Sequence, residues 1–282
     1  MMKETEWTEV IRPKKGLFDL RLKDLWRYRD LLVLLVRRDF VATYKQTVLG
    51  PIWYFLQPVL TTLMMFVVFT KIAKIPTDGL PPILFYMIGN VAWSYFSVCL
   101  TKTSNTFIIN AGIFGKVYFP RLIIPLSTVI SSLIAFLTQM ILFIALLIYY
   151  HFNGFSMHFD ASLALVPYFI LLMALLGLGL GIIFSSLTTK YRDLALLLTF
   201  GVQLFMYATP VIYSVSSIGG NLRRVIMLNP LTSIIEGFRH AFLGTGLLDF
   251  HLILYSTIFT LVVLCIGVLM FNRVEQSFMD TV

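Results

Sequence analysis

The chain is constrained most by six apolar stretches, at about residues 52–70, 82–101, 122–150, 161–187, 194–213 and 252–271, within whose limits no Asp, Glu, Lys, Arg or His occurs. About 20 mainly apolar residues in a helix cross about 30 Å of hydrocarbon. Lipid offers the backbone no hydrogen-bond partners, so a run of this length must satisfy its peptide groups within the helix. With 58% hydrophobic and 13% charged residues, the chain lies far outside the range of soluble domains. The expected fold is all-α integral membrane, with six transmembrane helices.

Charge sets the orientation. Eleven of the 22 Lys and Arg precede residue 50, and basic residues are retained on the cytosolic side of membrane proteins. Residues 1–50 therefore read as a cytosolic N-terminal segment and residues 51–282 as a six-span transmembrane domain. Six crossings place both termini in the cytosol, with 17 Lys and Arg inside and five outside. The early sequence lacks an apolar core followed by a small-residue cleavage site, so no removable signal peptide is expected. Because the basic residues sit at membrane edges and not on a motif-bearing domain, the net charge of +8 gives no reason to expect a nucleic-acid partner.

Pumps and secondary transporters place ionisable groups inside the membrane as relays. Spans without them point to energy supplied elsewhere. No GxxxxGK[ST] loop is present: the nearest string, GIFGK at 112–116, has the wrong spacing and no following Ser or Thr. If ATP drives the process, ATP and Mg are bound by a separate ATPase chain, and this chain is a transport subunit without catalytic residues or a cofactor of its own. A membrane-embedded enzyme would want convergent carboxylates or a metal, whereas Asp78, Asp160, Glu236 and Asp249 are scattered and His151, His158, His240 and His251 lack ligand spacing, so no metal site is expected. Cys99 and Cys265 both lie in apolar stretches and suggest no redox chemistry.

Residues three and four apart share a helical face. On that spacing the first span groups Tyr54, Gln57 and Thr61, the second Tyr86, Asn90, Trp93 and Ser97, and the fifth Thr199, Gln203, Tyr207 and Pro210. Such faces serve interhelical hydrogen bonding or interfacial anchoring, or else an aromatic, uncharged conduit suited to sugars. Tyr54, Gln57, Tyr86, Asn90, Trp93, Gln203 and Tyr207 are the candidate pathway residues. Gly177 and Gly181, flanked by Ala174 and Ser185, predict a close helix contact.

Outside the spans, residues 17–36 interleave charges with leucines in the manner of an amphipathic helix along the membrane face. Residues 110–121 and 188–195 form short, mixed inside loops. LTSIIEGFRHAFL at 231–243 predicts an amphipathic helix after the Asn229-Pro230 turn, lying on or dipping into the outer leaflet.

Several motifs act together: Tyr44-Lys45-Gln46, then Leu49-Gly50-Pro51 with Trp53, then Gln57-Pro58; KVYFPR at 116–121; KYRDL at 190–194; NPLTSIIEGFR at 229–239; and FNRVEQSF at 271–278. The set resembles the membrane (permease) subunits of ABC-type exporters of lipid-linked polysaccharides, including O-antigen, capsule and teichoic-acid permeases. The resemblance implies a homodimer in the cell inner (cytoplasmic) membrane, paired with two copies of a P-loop ATPase. It further implies that Ile113, Phe114, Lys116, Tyr118, Tyr191, Arg192 and Asp193 couple to the ATPase, that 17–36 is an interface helix with Arg37 and Arg38 at a cytosolic gate, and that 214–243 forms re-entrant helices between spans five and six. A related exporter of drugs or lipids is the alternative within that class.

Overall fold

The computed structural model describes residues 22–45, 50–114, 119–156 and 160–281, and among these the regular elements are all helical. Helices α1 (Leu22–Arg27) and α2 (Arg29–Tyr44) precede the bundle. Then come α3 (Trp53–Met65), continued by a π-helix at Phe66–Ile72, α4 (Pro82–Ser104), α5 (Thr106–Phe114) and α6 (Ile123–Phe152). The chain ends with α7 (Val166–Thr188), α8 (Leu194–Tyr207), α9 (Gly220–Met227), α10 (Pro230–Leu243) and α11 (Phe250–Thr281).

Among the described residues, five helices are long and apolar enough to cross a membrane: Trp53–Ile72, Pro82–Ser104, Ile123–Phe152, Ala161–Thr188 and Phe250–Glu275. Each matches an expected stretch to within a few residues, apart from α11, which continues beyond its apolar part. The stretch 194–213 differs. Its helix stops at Tyr207 after 14 residues, about 21 Å at 1.5 Å per residue, because Thr209 precedes Pro210 and a residue before proline is pushed out of the helical region.

The ends of the helices follow from local chemistry. Proline at the first turn starts α4, α7 and α10, where its missing N–H leaves no bond unmade. The Asn229 side chain accepts from Leu231 N at 3.0 Å to cap α10, and Gly244 ends it in the left-handed conformation at φ 72°.

Span α7 is the hub, packing against α4 on one side and α11 on the other. A Cβ added at Gly177 would stand 2.7 Å from Cys99 Cβ, and one at Gly181 would stand 2.6 Å from Thr103 Cβ, so both glycines let α4 approach closely. Gly179, on another face, does the same for α11 beside Leu264. Replacing Gly181 by Leu is expected to force α4 and α7 apart at a cost of about 1–3 kcal/mol. It should lower the thermal unfolding midpoint in detergent, and an unchanged midpoint would show that this contact is loose.

Of the two placements expected for α10, lying on the outer leaflet or dipping into it, its burial speaks against the first. Residues 230 to 239 are buried on all sides against α4, α7 and α11, because the polar side of the helix is satisfied inside the protein. Thr232 donates to Ile226 O at 2.6 Å, Ser233 and Ser256 hydroxyls meet at 2.7 Å, and Glu236 pairs with Arg239 at 2.8 Å. With α9 it forms a helical hairpin whose turn, Leu228 to Pro230, rests against the end of α8 through Asn229 Nδ2 and Thr209 Oγ1 at 2.8 Å.

Candidate functional site

Helices α2, α3, α4, α5 and α6 line a partly open cavity of about 660 Å³. Along α4 its lining runs from Asn90 to Lys102, about 18 Å of helix at 1.5 Å per residue. Four of the seven candidate pathway residues meet here: Tyr54 and Gln57 on α3, and Asn90 and Trp93 on α4. Thr61 and Ser97 share the lining, as the three-and-four spacing predicts. Pro58, which has no N–H to give to the preceding turn, lies on the same wall.

The side chains of the wall fall into two groups. Ser131, Ser132 and Thr128 on α6 spend their hydroxyls on carbonyls one turn back, at 2.5, 2.7 and 3.0 Å, and Asn110 donates to Thr106 O at 2.9 Å. The side chains of Gln57, Asn90, Ser94, Ser97 and Gln139 make no hydrogen bond to another described residue. Asn90 is only 5% exposed, and its amide opens to the cavity without a partner among the described residues. Trp93 adds an aromatic surface beside them, 5.6 Å from Phe96 and 5.9 Å from Phe205 of α8.

The other candidates lie elsewhere. Tyr86 is fully buried outside the cavity, 5.4 Å from Phe85 and 6.3 Å from Phe69, with its hydroxyl 3.2 Å from Thr70 Oγ1. The same face of α4 that opens to the cavity at Asn90 is covered by the end of α3 one turn earlier. Gln203 and Tyr207 sit on the exposed side of α8, and Tyr207 borders a second cavity of about 640 Å³ shared with Leu222 and Val225 of α9. The third wall of the polar cavity is α6, not the fifth apolar stretch. Its residues Thr128, Ser132, Ala135 and Gln139 repeat at the same three-and-four spacing, a signal the sequence carries within its long third stretch.

Arg38 lines the cavity and is held by Asp39 at 2.8 and 3.0 Å, whereas Arg37 is exposed on α2 outside the lining. Of the coupling candidates, Ile113, Tyr191, Arg192 and Asp193 are exposed, Phe114 is buried against Phe107 and Phe119, and Lys116 and Tyr118 lie outside the described residues. Thr188 Oγ1 donates to Ser104 O at 3.2 Å, which places the α7–α8 turn and the start of α5 at one end of the bundle. Arg121 joins this end to α11: it donates to Glu275 O at 2.9 Å and lies 5.3 Å over the Phe114 ring. Burial draws its guanidinium below the ordinary value, and the Glu275 carboxylate opposes that shift.

At the opposite end, Arg239 is 1% exposed and donates to Glu236 Oε1 and Val211 O at 2.8 Å and to Tyr213 O at 3.2 Å, with Phe85 3.8 Å beneath it. Glu236 in turn accepts from Leu247 N at 3.1 Å. Asp78 receives the Ser214 and Ser216 hydroxyls. This polar knot ties α10 to the segment following α8 and to the N-terminal part of α4. An amphipathic reading of 231–243 does not disclose it, because Glu236 and Arg239 look there like solvent-facing residues.

A bundle of long apolar helices around a cavity lined mainly by uncharged side chains is the architecture of a multi-pass membrane protein. The ABC-2 type transporter family matches residues 30–243, and the chain belongs to that family. It is 31% identical over 254 residues to an O-antigen export system permease protein, RfbA, of Klebsiella pneumoniae, covering 89% of this chain and 94% of the relative. The RfbA protein of Myxococcus xanthus is 26% identical over 93% of this chain and 98% of its own length. The polysialic acid transport protein KpsM of Escherichia coli is 22% identical over 86% and 93%.

Proposed function

We propose that this chain is the membrane-spanning permease subunit of an ATP-driven exporter that carries a lipid-linked polysaccharide from the cytosol across the inner membrane. The observation that carries the proposal is the cavity: hydrogen-bonding groups without protein partners stand beside Trp93, and a sugar offers hydroxyls to the first and C–H faces to the second. The near full-length similarity to O-antigen and polysialic acid transporters supports a glycan over the drug or lipid cargo of other exporters.

The passage of 194–214 along α4 supports a sixth crossing. Its start adjoins Thr188, which bonds to Ser104 at one end of α4; Phe205 meets Trp93 at 5.9 Å halfway; Val211 O lies where a Gly89 Cβ would be 3.0 Å away; and Ser214 reaches Asp78, just before α4. A short helix plus the turns that follow it thus covers the length of a full span, and both termini then face the cytosol. The hairpin α9–α10 enters from the outer side and returns to it, as a re-entrant element at the exit. Two copies of the chain form the transport unit with two ATPase subunits that hold ATP and Mg. Ile113, Tyr191, Arg192 and Asp193 meet those subunits, and ATP binding there biases the permease between closed and open states.

Depletion of the chain from its native cell is expected to reduce surface polysaccharide severalfold and raise the amount of lipid-linked glycan retained inside. An unchanged distribution of glycan would overturn the proposal and favour a drug or lipid cargo.

A further inference from the structure

The C-terminal end of α3 and the loop after it are held differently from the rest of the bundle. The π-helix Phe66–Ile72 contains no buried residue, and this rare form of helix often marks functional positions. Thr70 fastens it to Tyr86 through one hydroxyl contact of 3.2 Å, one turn before Asn90 on α4. Beyond it, Lys74 and Asp78 take the left-handed conformation, at φ 54° and 52°, which is strained for a residue with a Cβ and persists only where other contacts hold it. Asp78 shows what holds the loop: its carboxylate accepts from the Ser214 hydroxyl and, at 2.7 Å, from the Ser216 hydroxyl. Among the described residues, no other hydrogen bond joins residues 73–80 to a distant part of the chain.

The joints of this region differ in how readily they part. Separating Glu236 from Arg239, at 2% and 1% exposure, strands a charge away from water. That pair keeps α10, the segment after α8 and Phe85 of α4 together. Asp78 and Ser216 are exposed, so water can replace the hydroxyls on the carboxylate. Ser214 is then left with the Ser216 hydroxyl 3.0 Å away. The seam that yields first is the one at Asp78, and the piece it frees is the end of α3.

We propose that the π-helical end of α3 is a movable cap on the polar cavity, and that Asp78 is the latch that keeps it shut against the Ser214–Ser216 segment. Release of the carboxylate relaxes the left-handed loop, lets Phe66–Ile72 swing from Tyr86, and extends the cavity from Asn90 toward the α3–α4 loop. The proposal rests on the export role and orientation above, in which that loop faces outward and the extension is the last part of the glycan's route.

Two experiments test the latch, both in a Cys99→Ala, Cys265→Ala background. In the first, Asn90→Cys is labelled in right-side-out vesicles by a membrane-impermeant sulfonated maleimide. Adding Asp78→Ala is expected to speed labelling by about tenfold or more, the equivalent of one charge-assisted contact. Equal labelling rates would overturn the latch; a bond that serves stability alone lowers the unfolding midpoint of Asp78→Ala and leaves labelling unchanged. In the second, Asp78→Cys with Ser214→Cys is bridged by a short bis-methanethiosulfonate and released by dithiothreitol. Bridging is expected to cut the appearance of new surface glycan by about tenfold or more, with recovery on reduction and no effect of the reagent on either single variant. Failure of the bridge to form, or undiminished export by the bridged protein, would show that this seam is not what opens. The labelling experiment needs neither cargo nor ATPase. Equal labelling therefore rejects the latch and leaves the export role standing, whereas an unchanged glycan distribution on depletion of the whole chain rejects the export role itself.

Discussion

Arg239→Ala is expected to cost about 3–5 kcal/mol of stability, because it leaves the Glu236 carboxylate buried without its counter-charge. Both side chains are almost wholly sequestered, at 1% and 2% exposure, so solvent screening gives little relief. The same substitution removes the donors to Val211 O and Tyr213 O, which hold the hinge after α8, and the cation over the Phe85 ring. Thermal unfolding in detergent measures the loss. Glu236→Gln is the gentler partner, since it keeps the shape and one acceptor for Leu247 N. The double variant Glu236→Leu with Arg239→Met should lose less than the sum of its single changes, because neither charge is then stranded. A wild-type midpoint for Arg239→Ala would show that the pair is not what joins α10 to the bundle.

The spans, the glycine contact and half of the cavity are legible in the sequence, and each has a physical reason to be. Length and apolarity alone mark Pro82–Ser104 and Ile123–Phe152. Gly177 and Gly181 announce a close approach since no other side chain permits one. Tyr54, Gln57, Asn90 and Trp93 come together because three-and-four spacing sets a helical face whatever the neighbours are.

What stays hidden depends on which helix covers which face. Tyr86 shares the periodicity of Asn90, yet α3 and its π-helical end bury it against Thr70 and Phe69. Phe114 reads as an exposed aromatic of a loop, and the bundle folds it under Arg121. The Glu236 and Arg239 pair resembles an ordinary solvent-facing i, i+3 pair until the hairpin is seen inserted between α4 and α7. The short α8 is disguised by composition: residues 208–213 are as apolar as a helix but contain Pro210, and turns take them the remaining distance.

The polar wall gives the sharpest separation of a transport role from a structural one, through the paired changes Asn90→Leu and Gln139→Leu. Neither amide bonds to a described residue, so replacing both with apolar groups breaks no protein hydrogen bond. Folding stability is therefore expected to hold to within about 1 kcal/mol. Export should fall, because the same two amides are donors and acceptors for the hydroxyls of a passing sugar. Loss of two such contacts at about 1.4 kcal/mol per tenfold predicts surface glycan lowered by about tenfold or more at equal protein level. Trp93→Ala should act in the same direction through its ring face, with a modest loss of packing against Phe96 and Phe205. If the double variant instead unfolds at a lower temperature while exporting normally, the amides belong to the packing of the bundle and the cavity is not the route of the cargo.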